Sequence, residues 1–242
     1  MTEPTRSPVP DGTGSDPSRT SQATSSTTAS TAAEIHRGGS GRPGARGLDA
    51  QSVGLVAVFT ALLVAAAVVP GIPIGGVGVP ITLQTLAVML TGLVLGPARA
   101  TAAVALYLLI GFVGLPVFSR GQSGLQVLAG PTAGYLVSFV LAALVLGLAA
   151  RVVAQRTRAA RWVPLLFGAT IATTLLVVHP LGIAGLVVNA KLSLSAAVAA
   201  DLPFLPGDLL KGFVAAVAAA AVHRAFPDVL VHRVTRRVSP RA

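Results

Sequence analysis

From about residue 49 onward the chain is built from long apolar blocks, with its polar residues gathered in the gaps between them. Six blocks stand out: Val53–Val69, Ile81–Leu95, Arg99–Leu115, Thr132–Ala150, Val163–Val188 and Pro206–His223. Their lengths scatter around the ~20 residues that carry an α-helix across a bilayer. The pattern therefore predicts an all-α integral membrane protein with six transmembrane helices. The first block gives only about 25 Å of helix and the second is shorter still, so tilting or burial inside the bundle is expected. His179-Pro180 lies inside the fifth block and predicts a kink, which neighbouring helices must cover.

Composition agrees. Of 242 residues, 53% are hydrophobic and 11% charged, against roughly 25% charged in an ordinary soluble domain. Mean hydropathy is +0.77. The absence of cysteine removes disulfides and thiolate metal sites. Residues 1–48, with stretches such as SDPSRTSQATSSTTAS, predict a disordered tail without the apolar core of a secretory signal peptide. Residues 49–224 form the expected membrane domain, and 225–242 a basic C-terminal tail.

A net charge of +10 and a pI near 11.7 invite a nucleic-acid reading, which the distribution of charge opposes. With a cytoplasmic N-terminus, all of the 18 basic residues except Arg120, Lys191 and Lys211 fall on the cytoplasmic side. That asymmetry predicts a multi-pass protein of the cell membrane with both termini inside. The outward segments 70–80, 115–132 and 189–208 are rich in Gly and Pro or lead into PFLPGDLLK. Such segments suit caps over a protein-lined cavity better than lipid-facing structure.

Several chemistries are missing. No G-x-x-x-x-G-K-[ST] occurs, and no glutamate lies beyond Glu34, which removes a phosphate-binding loop and a paired-glutamate mechanism. There is no H-E-x-x-H, and GQSG at 121–124 misses the G-x-S-x-G elbow. No enzyme and no cofactor is expected. A lipid-acting enzyme centred on Asp208 would lack a base, metal or nucleophile set.

The remaining polar residues gather near the outer side. Asp208 and Lys211, three apart, share a helix face. They either furnish a polar ligand floor, as ionisable groups inside a membrane commonly do, or stabilise a helix starting near Pro206. Gln84, with Thr82, either contacts ligand or bonds another helix. Tyr135 is a ligand contact or an interfacial aromatic. Arg120 meets an anionic substrate or stays a solvated loop residue. Asp201 is expected at the aqueous boundary, and His179 in a hydrogen bond within the bundle. Small residues recur every fourth position at Ala57, Ala61 and Ala65 and at Gly92 and Gly96. Such stripes serve internal packing or a partner protein.

Taken together, VPITLQTLAVMLTGLVLGP (79–97), YLLIGFVGLPVFSRGQSGL (107–125), AGPTAGYLVSF (129–139) and PFLPGDLLK (203–211) resemble the BioY family, the biotin-binding S components of energy-coupling factor (ECF) transporters. The resemblance spans nearly all of 53–223. It implies the six-helix S-component fold and an outward biotin pocket closed by the first and third connecting loops. The implied partners are a transmembrane T component and two cytoplasmic ATPases. It implies ligand-binding roles for Asp208 and Lys211, for the loop holding Arg120, Gly121 and Gly124, and for the segment ending at Tyr135. Ala57 and Ala61 match the spacing by which S components touch the T component. A related ligand, such as a biotin precursor or another vitamin, is the alternative substrate.

Overall fold

The structure is a computed structural model describing residues 50–73 and 79–226, all within the unit Leu48–Ala242. The expected tails 1–48 and, from 227 on, the C-terminal one lie outside the described residues.

Helix α1 spans Ala50–Val68, α2 Gln84–Leu95, α3 Pro97–Val113 and α4 Ala133–Arg156. The fifth crossing is a continuous helical stretch of three parts. These are α5 (Trp162–Thr173), a π-turn at Thr174–Val178, and α6 (His179–Asn189). A short α7 (Leu194–Asp201) precedes the last helix, α8 (Phe204–Ala225). Among the described residues, four stretches are long and apolar enough to cross a membrane: α1, α4, the stretch Ala159–Asn189 and α8. The 12 residues of α2 and 17 of α3 complete six crossings. At 1.5 Å per residue α2 is only about 18 Å long. Its short length is accommodated by burial: most of its side chains, from Gln84 to Leu95, are shielded by α1, α4 and α8.

Proline and glycine set the corners. Pro97 opens α3 in the first turn, where its missing N–H costs nothing. Gly96 makes the tight corner before it, and α4 runs so close that a Cβ on Gly147 would lie 2.4 Å from Pro97 N. Gly92 lets α4 approach likewise, its Cβ position being 2.8 Å from Leu146. The Gly92/Gly96 stripe is thus internal packing. Ala57, Ala61 and Ala65 instead lie exposed on α1.

The kink expected at His179-Pro180 takes the form of the π-turn. Pro180 has no N–H to give a preceding carbonyl, and the helix widens by one residue just before it. His179 N–H reaches back to Thr174 O across five residues. Two further expectations are corrected. Residues 189–208 are not wholly loop: Ser193 caps α7 by accepting from Ala196 N at 3.3 Å. And α8 starts at Phe204, two residues before Pro206, so Asp208 lies beyond its first turn. The dipole effect fades there, and other contacts must hold that charge.

Candidate functional site

At the end of the bundle that carries 69–73, 79–83, 114–132 and 190–203, a cavity encloses about 580 Å³ of empty space, its mouth included. Gln84 and Thr85 of α2, Tyr135, Leu136 and Phe139 of α4, and Phe204, Asp208 and Lys211 of α8 line it. Val79, Pro80 and Thr82 come from the first loop, and Phe118, Ser119 and Gln122 from the third. The first loop is pinched by a two-bond bridge between Ile72 and Ile81, at 2.8 and 2.9 Å.

The walls are apolar and the floor is charged. Phe118 is held by Tyr107 and Phe112, ring centroids 5.5 and 5.4 Å away. On the floor, Asp208 is 3% exposed. Burying such a charge is costly unless it is paired and hydrogen-bonded. Its Oδ1 accepts Lys211 Nζ at 3.0 Å and Thr85 Oγ1 at 3.0 Å. Lys211 also donates to Thr85 Oγ1 at 3.0 Å. Three groups on two helices therefore close a ring, and Asp208 Oδ2 is left without a hydrogen-bond donor.

Gln84 is oriented from behind. Tyr107 Oη donates its single proton to Val117 O at 3.2 Å, and so can only accept from Gln84 Nε2 at 2.9 Å. The amide nitrogen is fixed on the tyrosine, and the carbonyl oxygen is the end free to serve the cavity.

Of the residues singled out in the sequence, Asp208, Lys211, Tyr135, Gln84 and Thr82 converge on this cavity. Arg120 and Gly121 do not line it. They face an adjoining cleft with Val68, Pro70, Pro73 and Pro80, and Pro80 borders both spaces. Arg120 adopts a left-handed backbone, φ +62°. Gly124 borders neither space; a Cβ there would meet Gln126. Thr85, Phe118 and Gln122 were not singled out individually. Thr85 was detectable as a further polar residue one position beyond Gln84.

The largest departure concerns Asp201. It is 4% exposed, not at the aqueous boundary. Oδ1 accepts the Tyr135 hydroxyl at 2.6 Å. Oδ2 lies 2.7 Å from His179 Nδ1, although the two are not aligned as a hydrogen bond. His179 Nε2 lies 3.9 Å from Asp208 Oδ2. His179, expected in a hydrogen bond within the bundle, instead stands between two carboxylates.

Residues 39–228 match the family model described as the BioY family. The chain belongs to the BioY family. Its relatives include the biotin transporter BioY of Rhodobacter capsulatus, 43% identical over 76% of this chain and 98% of that protein. The biotin transporter BioY of Rhizobium etli is 38% identical over 72% and 93%. Among solved structures, the S-component for biotin from an ECF-type ABC transporter superposes with a TM-score of 0.66 at 26% identity, covering 74% of this chain and 94% of that one. This BioY chain thus has the six-helix S-component fold of a multi-pass membrane protein, and its family is one of transporters.

Proposed function

We propose that the chain captures biotin at this cavity as the substrate-binding subunit of an ECF-type vitamin uptake transporter. The observation that carries the reading is the hydrogen-bond inventory of the floor. Two of the three Lys211 protons are engaged by Thr85 and Asp208, leaving one donor. Asp208 Oδ2 and Gln84 Oε1 are free acceptors. One donor beside acceptors is the complement of a ureido group, which has one carbonyl and two N–H groups. The three phenylalanines of the wall, Phe118, Phe139 and Phe204, suit the apolar bicycle.

This assignment divides the labour of the acid–lysine pair. Lys211 serves the ureido oxygen, and Asp208 and Gln84 serve its nitrogens. The paired Lys211 is the cation on the floor, so the valerate tail runs outward and its carboxylate approaches Arg120 beyond Pro80. Gly121 and Gly124 shape that loop without touching the bicycle. The subunit binds ligand without hydrolysing ATP. Transport draws on a transmembrane T component and two cytoplasmic ATPases, with Ala57 and Ala61 on the exposed face of α1 meeting the T component. The protein sits in the cell membrane with both termini cytoplasmic, as a membrane domain between two tails.

Titration of the purified chain with biotin tests the reading. Saturable binding is expected, and Asp208→Asn should weaken it roughly 10- to 100-fold, since a hydrogen bond to a charged group contributes about 1.5–3 kcal/mol. A wild-type chain that binds no biotin overturns the proposal. Competition with desthiobiotin, which keeps the ureido ring and lacks the sulfur, separates biotin from a precursor as the preferred ligand.

A further inference from the structure

Asp201 and His179 lie outside the ligand contacts assigned above, yet both are buried, 4% and 5% exposed. They come from different elements, the end of α7 and the start of α6. Together they reach both flanks of the floor. Asp201 takes the Tyr135 hydroxyl at 2.6 Å, and His179 stands 3.9 Å behind the free oxygen of Asp208.

A tyrosine hydroxyl has one proton to give. An ionised carboxylate only accepts, so the short contact to Asp201 claims that proton. What Tyr135 can then offer the cavity it lines is a lone pair. Without Asp201 the same hydroxyl would turn its proton toward the cavity, placing a donor where a ligand's N–H arrives. The ring of Tyr135 cannot swing away to avoid this. It lies against Gly182, where a Cβ would clash with the ring edge, and beside Phe204, ring centroids 6.0 Å apart.

We propose that Asp201 is a positioning residue that sets the hydrogen-bond polarity of the ligand floor. It draws the Tyr135 proton away from the cavity, so that no tyrosine donor competes with the two ligand N–H groups for the acceptors of Asp208 and Gln84. The inference rests on the biotin reading above. It differs from a role as a simple strut between α4, α6 and α7 in one measurable respect, the sign of the coupling between Asp201 and Tyr135.

The test is a double-variant cycle read by biotin titration. Asp201→Leu keeps the approximate side-chain size and removes both acceptor oxygens, freeing the tyrosine proton to face the ligand. This variant should bind biotin about 10- to 100-fold more weakly than wild type, the scale of an unsatisfied or mismatched buried polar group. Adding Tyr135→Phe removes the misdirected donor, and the double variant should bind more tightly than Asp201→Leu alone. A strut gives the opposite order, with the double variant equal to or weaker than the single. Asp201→Ala leaves the tyrosine proton equally unclaimed and carries the same cycle should Asp201→Leu fail to fold, with ligand-free melting in detergent as the check on folding. Wild-type chain that binds no biotin overturns the functional reading. Wild-type binding with no recovery in the double variant overturns this inference alone.

Discussion

Tyr107 never lines the cavity, yet its hydroxyl fixes which end of the Gln84 amide faces it. Tyr107→Phe should free that amide to rotate and weaken biotin binding by about 1 kcal/mol, roughly fivefold, while ligand-free melting changes far less. Titration beside a thermal melt checks this. The residues legible in the sequence were those whose polarity contrasts with an apolar helix: Gln84, Tyr135, Asp208 and Lys211. Asp201 escaped because it follows a stretch with Ser193 and Ser195 that reads as loop, and because its partner lies 66 positions away. Arg120 was read from its isolation in the sequence, whereas its place in the adjoining cleft depends on the path of the loop, which no composition reveals.

Glycine spacing predicts close helix contacts, and only packing tells which glycines make them. Gly147 and Gly168 look alike in sequence, each inside an apolar helix. A Cβ on Gly147 would run into the backbone of Gly96 and Pro97, whereas one on Gly168 would meet nothing within 4 Å. Gly147→Ala should therefore destabilise the protein by roughly 1–3 kcal/mol, and Gly168→Ala should leave the melting temperature unchanged or raised. Differential scanning fluorimetry of the two variants decides it. All six helical blocks were legible from hydropathy, most to within about three residues at their ends, although the fourth runs on to Arg156, six residues past its expected end at Ala150. Helix α7 was not, because eight residues dominated by alanine carry too little pattern. The π-turn was foreshadowed only as a kink, since Pro180 announces a missing donor without saying how the helix responds.

Viewed whole, the described bundle has a furnished end and, on α1, an exposed stripe of small residues. Ala57→Trp and Ala61→Trp add bulk to that stripe, where Gly54 also has open space beside it. Both should abolish uptake that depends on the coupling module while biotin titration of the isolated chain stays within about twofold; loss of binding would count against a partner-contact role. The native chain lacks cysteine, so single cysteines at Arg120 and Arg158 give a clean test of orientation. A membrane-impermeant maleimide should label the first in intact cells and the second only after permeabilisation. The π-turn also acts at this scale. Below it, α5 packs on α8, with Phe167 against Phe213 and Thr170 at Gly212. Above it, α6 packs on α4, with Gly185 at Gly134 and Gly182 at Tyr135. One residue of helix corresponds to about 100° of rotation, so that extra residue is a phase offset between the two halves of the crossing. Deleting Leu176 would leave both halves helical yet rotate His179 out of register with Asp201 and Asp208, uncoupling the floor of the cavity from its scaffold without changing a single side chain in it.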